Sequence, residues 1–180
     1  MNDTSTCSPR TASPVPPGSL RETMRRFATG VAVVATTDRG STYAAVVNSF
    51  TSVSLEPPLV LVCLQVGSRT CEALQRRGAF SICVLADEHR EHSQRLARSQ
   101  PTSDDDAFEV VDGLPTIRGT LAGLLCEVES VQVKGDHVIV VGCVVRTHHA
   151  QREPLVFYDG QYRMLDGQAA PDSGAVTATK

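Results

Sequence analysis

Apolar residues along the chain fall mostly into short runs with a period of two, and only three stretches read as helix. Leu20, Met24 and Phe27 recur at helical spacing behind Ser19-Leu20-Arg21-Glu22, which has the form of a capping box. A short amphipathic helix is expected over about 20–28, with Gly30 as its C-cap and Thr29-Gly30 outside any site. From Val31 the period changes. Val31 to Thr37 predicts a strand, Asp38-Arg39-Gly40-Ser41 a turn, and Thr42 to Val47 the returning arm of a hairpin. Pro57-Pro58 opens an apolar run through Leu64 that predicts a buried strand. A helix over about 70–77, ending at Gly78, and a buried strand from Phe80 to Ala86 follow. Asp87 to Arg98 reads as a polar helix. Phe108 and Gly113-Leu114-Pro115 read as connecting chain. Leu121 to Val133 and His137 to Arg146 predict two long strands around Lys134-Gly135-Asp136. Pro154 to Tyr158 and Gln161 to Leu165 close the fold around an Asp159-Gly160 hairpin turn.

This makes seven or eight strands with two or three inserted helices and no regular strand–helix alternation. A doubly wound parallel sheet is disfavoured, and a mainly antiparallel, Greek-key-like β-barrel with helical excursions fits. A chain of 180 residues favours one domain. Residues 1–17, rich in Ser, Thr and Pro, read as a disordered leader, and 167–180 as a disordered tail, which leaves a folded domain at 18–166.

Composition narrows the function classes. The net charge of -3 comes with no basic block, which argues against a nucleic-acid partner. No apolar run reaches the ~18 residues that cross a bilayer, and the N-terminus lacks a secretory pattern, so a cytoplasmic protein is expected. Of the six cysteines, Cys63, Cys83, Cys126 and Cys143 lie inside apolar runs. With Cys7 and Cys71 they form no C-x-x-C motif, so they are read as small buried hydrophobes in a reducing compartment. His89 and His92 lie three apart on the polar helix but have no evident third ligand, and are read as surface histidines. Ser103 to Asp106 is a solvated acidic loop, and no metal site is expected.

The stretch Asn48-Ser49-Phe50-Thr51-Ser52-Val53-Ser54 is dense in hydroxyls and sits between apolar runs, as the wall of a ligand site would. Ser68-Arg69-Thr70 at a helix start offers hydroxyls, free backbone N–H groups and a guanidinium together. That arrangement suits a phosphate, and equally describes an ordinary Ser N-cap beside a solvated Arg. His137 follows Asp136, which would orient or charge the imidazole. There is no dinucleotide fingerprint, no phosphate loop ending in Gly-Lys-Ser/Thr and no G-x-S-x-G elbow, so kinase and hydrolase chemistry have no anchor.

Four blocks, in order over about 20–165, carry a family resemblance. They are Phe27-Ala28-Thr29-Gly30-Val31-Ala32-Val33-Val34, Asn48 through Val60, Gly135-Asp136-His137 with Val141-Gly142-Cys143-Val144, and Pro154-Leu155-Val156-Phe157-Tyr158-Asp159-Gly160-Gln161-Tyr162. Together they resemble the short-chain flavin reductase family, whose fold is the FMN-binding split β-barrel. The resemblance implies a homodimer that binds FMN or FAD and reduces it with NADH or NADPH, as the partner of a separate flavin-dependent monooxygenase. It implies a flavin lying along Tyr43, Ala44, Ala45 and Val46, with Asn48 and Ser49 lining its ring and Ser54 a further contact. Cys63, Leu64 and Gln65 would lie near the ribityl chain, Ser68, Arg69 and Thr70 would hold the phosphate, and Arg95 would reach the far end of the flavin. His137, as the catalytic residue, and Phe157 with Tyr158 would border the nicotinamide. Where the family commonly has Gly-Met-Thr-Ala before the Asn, this chain has Ala44-Ala45-Val46-Val47, so a flavin contact at Val46 must use backbone. The rival implication is a non-enzymatic flavin-binding or redox-sensing split barrel; a self-sufficient flavin oxidase is a third reading, and the lack of a substrate-sized extra domain argues against it.

Overall fold

The computed structural model describes residues 13–98 and 106–165. Cys7, Ser103 to Asp105, and most of the expected leader and all of the expected tail lie outside them. In order, the elements are α1 (Pro17–Met24), β1 (Thr29–Gly30), β2 (Ala32–Asp38), β3 (Ser41–Val47), β4 (Thr51–Leu55), β5 (Pro58–Gln65), α2 (Arg69–Arg77), β6 (Ala79–Val84), a 3-10 turn (Asp87–His89) and α3 (Arg90–Leu96). They continue with β7 (Phe108–Val111), β8 (Leu114–Ile117), β9 (Ala122–Lys134), β10 (His137–His149), β11 (Val156–Tyr158) and β12 (Gln161–Arg163). Seven strands form one sheet in the order β3-β2-β6-β9-β10-β5-β4; β1-β11-β12 and β7-β8 form two smaller ones. Every pairing is antiparallel, as the barrel reading expected.

The run Val31-Ala32-Val33-Val34-Ala35 lies at the junction of two cores. Its strand is buried on both faces rather than on one. Ala32 and Val34 join Val60, Val62, Phe80, Ile82, Cys126 and Val140 in an inner core, which α2 plugs with Cys71 and Leu74. Val31, Val33 and Ala35 face an outer core with Cys83, Leu85, Leu96, Ile117 and Leu155. A strand covered on both sides reads as a continuous apolar run.

The cysteines follow the expectation in part. Cys71, Cys83 and Cys126 are buried, while Cys63 and Cys143 are half-buried, and all five are free. Burial pushes the Cys83 thiol up to about 11 and that of Cys126 up to about 12, so both are inert packing groups at neutral pH.

Several expectations need correction. The helix α1 starts earlier than its capping box implied, because Pro17 occupies its first turn behind Pro16. Ser19 is then inside the helix, no side chain caps it, and Gly30 belongs to β1. The apolar stripe of α1 is not buried: Leu20, Met24 and Phe27 are each more than half exposed. Half of the hydroxyl-dense stretch is strand, forming β4 at the sheet edge. The segment taken as connecting chain is the hairpin β7–β8, turning on Asp112-Gly113 with both residues at positive φ. That Asp-Gly flanked by apolar residues is a hairpin signal of the same kind as Asp159-Gly160.

His89 and His92 are buried and not surface groups. Nδ1 of His89 accepts from the Ala86 N–H at 3.2 Å, leaving Nε2 to donate to the Arg118 carbonyl at 2.9 Å. The ring thereby ties the start of the 3-10 turn to the end of β8. His92 accepts from the Arg95 guanidinium at 2.8 Å and meets Phe108 edge-on, with centroids 5.8 Å apart.

Gly142 marks the tightest point of the inner core. A Cβ there would lie 2.6 Å from the Phe80 ring and 3.0 Å from Cys126 Cβ. Both neighbours are fully buried and have nowhere to move. Gly142→Ala is therefore expected to destabilise the fold by about 1–3 kcal/mol, read as a lowered denaturant midpoint with an unchanged slope.

Candidate functional site

Position 49 decides how the barrel closes next to the candidate site. β4 pairs with β5 as far as Thr51 opposite Leu61. Continued in register, residue 49 would face Cys63. No strand continues there; instead the Ser49 hydroxyl donates to the Cys63 carbonyl at 2.9 Å and accepts from the Cys63 N–H at 3.1 Å. One side chain thus replaces both bonds of a missing strand residue and ties the end of β3 to β5. The resemblance assigned Ser49 to the flavin ring. Its hydroxyl is committed to Cys63, which leaves its backbone to line the cleft.

A cleft of roughly 350 Å³ opens beside this bridge. It is lined by Ala45, Val46, Val47, Asn48, Ser49, Cys63, Leu64, Gln65, Ser68 and His137. Its walls come from four places in the chain. β3 is an edge strand paired only with β2. Its two-residue turn, Arg39-Gly40, has both residues at positive φ and closes on the pair Asp38–Ser41. Counting on from that hydrogen-bonded pair, the N–H and C=O of Val46 point away from β2. The missing hydroxyl at Val46 therefore leaves a backbone donor and acceptor at that edge.

The floor continues along β5 to Gln65, directly opposite His137 across the β5–β10 ladder. The chain then turns through Gly67 at φ 73°, with the Ser68 N–H bonded to the Gln65 carbonyl at 3.1 Å. That tight turn puts Ser68 at the N-terminus of α2, where its hydroxyl accepts from the Cys71 N–H at 3.3 Å. Arg69 is exposed and has no ion-pair partner among the described residues. The other rim carries His137, whose Nδ1 lies 2.7 Å from the Asp136 carboxylate. Hydrogen bonding and charge from His137 hold the Asp136 carboxyl below its usual range. Asp136 is itself tied down, its carbonyl accepting from the Val66 N–H.

The cleft gathers nine of the residues that the sequence pointed to: Ala45, Val46, Asn48, Ser49, Cys63, Leu64, Gln65, Ser68 and His137. The others lie elsewhere. Ala44 is buried on the opposite face of β3, in the outer core. Tyr43 and Ser54 line none of the depressions around Asn48. Thr70 is buried beneath α2 with its hydroxyl unpartnered, so only its backbone faces the helix terminus. Arg95 is bonded to His92. Phe157 lines two neighbouring depressions but Tyr158, one residue on, lines none, as strand alternation requires.

Sequence reasoning missed Tyr162, which pairs with Phe157 across the hairpin, meets it edge-on at 5.6 Å and shares a depression with it. The Tyr162 hydroxyl also bonds to Ser93 at 2.7 Å. Cross-strand register from the Asp159-Gly160 turn would have found it. Phe27, Thr29 and Phe50 also line depressions that reach Asn48. Asn48 borders all five of these hollows.

Residues 24–166 match the model of the flavin reductase like domain. This chain belongs to the flavin reductase-like family. Among its relatives is the reductase subunit HsaB of a flavin-dependent monooxygenase from Rhodococcus jostii, 37% identical over 162 residues that cover 86% of this chain and 81% of that protein. An NADH-dependent flavin reductase from a Rhodococcus species is 36% identical, covering 84% and 88%. The NADH:FAD oxidoreductase SgcE6 of Streptomyces globisporus has a solved structure that superposes with a TM-score of 0.80 at 31% identity, over 88% of this chain and all of that one. The flavin reductase-like chain described here is thus of the mainly β, split-barrel class that its sequence blocks implied.

The cleft suits a flavin. It brings together an unpaired strand edge and two amides, Asn48 and Gln65, for the polar edge of a fused ring, beside the half-buried Ala45 and Val47. A helix N-terminus with a hydroxyl and a free guanidinium stands at one end, for a phosphate. Ser49→Ala should cost about 1–3 kcal/mol in denaturant unfolding, because it leaves two backbone groups of Cys63 without their partner. It should also weaken flavin binding by loosening Asn48, as titration of flavin fluorescence would read.

Proposed function

We propose that this protein is an NAD(P)H-dependent flavin reductase that passes hydride from a nicotinamide donor to FMN or FAD. It would supply reduced flavin to a separate monooxygenase, with the 18–166 region as the working unit. The observation that carries the site assignment is the convergence on one open cleft of Val46, Asn48, Gln65, Ser68 and His137 from separate elements. The reductase names of its relatives support the enzyme over a binding-only split barrel.

A bound flavin supplies the hydride acceptor, and the difficult chemistry is the cofactor's own. The chain's part is positioning. Ser68, Arg69 and the first N–H groups of α2 would hold the phosphate. The outward backbone of Val46 and the Asn48 amide would hold the polar edge of the ring, where N–H donors favour negative charge. His137, oriented by Asp136, stands at the rim where a nicotinamide would approach, and Phe157 with Tyr162 offers an aromatic wall on the other side of Asn48. No general base is needed. The cleft is open, as a site must be if flavin and donor both enter and leave.

The exposed apolar side chains of Leu20 and Met24 on α1, and of Phe27 just beyond it, support a homodimer in which a second copy covers them. A cytoplasmic location fits a chain in which no described helix is long and apolar enough to cross a membrane.

Mixing purified protein with FMN or FAD and with NADH or NADPH should consume the donor's absorbance; no turnover in any of the four pairs would sink the reading. Arg69→Ala is expected to raise the flavin KM by about tenfold with a modest change in kcat. If kcat vanished while binding held, Arg69 would have another role. His137→Ala should raise the KM for the donor more than that for the flavin. Sedimentation of the wild type should give twice the monomer mass, and Phe27→Glu should shift it to the monomer.

A further inference from the structure

A second charged cleft lies on the far side of Asn48; it takes in Phe157 from the aromatic wall, and Met24 and Phe27 put it at the border of the proposed dimer contact. It holds roughly 380 Å³ between α1 and the β11–β12 turn, and its cationic lining is Arg21 and Arg25. The two clefts share Asn48 alone. Elements from both ends of the domain build the second one. The Arg25 carbonyl accepts from the Asp159 N–H at 3.0 Å. The Arg25 guanidinium lies over Gly160, 3.8 Å from where a Cβ would stand. Gly160 is at φ 77°, so the turn both needs a glycine and leaves room for the arginine.

The charge balance is one-sided. Asp159 also lines the cleft, but its carboxylate lies 3.5 Å from Arg26. Arg21 and Arg25 have no ion-pair partner among the described residues, and they stand four apart, where like charges on a helix repel. Two guanidinium groups at this spacing, lining one cleft, match an anion with two adjacent charged centres. Asn48 and Phe157 also line it, and Asn48 is the residue it shares with the first cleft.

We propose that this cleft is the subsite for the pyrophosphate of a dinucleotide, with Arg21 and Arg25 as its ligands. Building on the reductase reading, the dinucleotide is the nicotinamide donor. The flavin phosphate is assigned to Ser68 and Arg69 on the other side of Asn48, so an adenosine diphosphate arm continuing from there would start away from Arg21. The donor's pyrophosphate would lie at α1 while its ring passes Phe157 towards the flavin.

The test uses the full chain, wild type and the double variant R21A/R25A. Binding of ADP-ribose, which carries the pyrophosphate without a nicotinamide, is measured first and needs no turnover. Its affinity should fall about tenfold or more in the variant, and more steeply at low salt. Turnover is then measured with FMN as acceptor. The KM for NADH should rise by a similar factor with kcat nearly unchanged. Rates with N-benzyl-dihydronicotinamide, a donor without phosphate, should not change. A loss confined to FAD compared with FMN would uphold the subsite and assign it to the flavin's adenosine arm. Unchanged ADP-ribose affinity, or equal losses with NADH and the phosphate-free donor, overturns the proposal. A wild type that binds ADP-ribose through these arginines but turns over no donor would leave the subsite standing and refute the reductase reading.

Discussion

The two hydrogen bonds between the Ser49 hydroxyl and the Cys63 backbone govern the geometry of the whole site. A sheet that ends in β3 on one side and β4 on the other has two edges near the place where it should meet itself. Ser49 joins one to the body of β5 without adding a strand. The join leaves the outward backbone of β3 exposed just before the bridge and fixes the residue ahead of it, Asn48, at the meeting point of several hollows. Extending β4 to pair at Cys63 would close the seam more strongly, but it would bury the groups that make the cleft polar.

Around that seam the rest of the molecule is held by packing. β2 is packed on both faces, so it links the inner and outer cores and carries the β3 edge as a fixed rail. α2 plugs the barrel with Cys71 and Leu74 on one side while its first residue, Arg69, stays in solvent. Packing and exposure to solvent are thus divided between two faces of one short helix.

Much of this was legible in the chain. The hairpin of β2 and β3, the strand after Pro57-Pro58, the Ser68 cap, the Gly78 stop and the long β9–β10 pair all announce themselves by periodicity or turn chemistry. The ordered blocks led to most of the cleft residues. What escaped has physical causes. β4 is an exposed edge strand whose hydroxyls hide the alternation, and its ladder is broken by a register shift between Ser52 and Ser54. β7 and β8 are four residues each, too short for a period to stand out. His89 and His92 looked like surface groups because they sit in a polar helix, and only tertiary contacts with Arg118 and Phe108 bury them. The assignment of Ser49 to a ligand failed to foresee the bridge, because a serine that closes a barrel and a serine that lines a pocket have the same local sequence.

The β3 edge has an evolutionary consequence. Donors and acceptors contributed by the main chain survive every side-chain replacement except proline. At Val46 the aliphatic side chain leaves the polar contour of the groove to the backbone, whose N–H and C=O point away from β2. Side-chain identity along this strand therefore says little about the hydrogen-bonding groups that its edge presents.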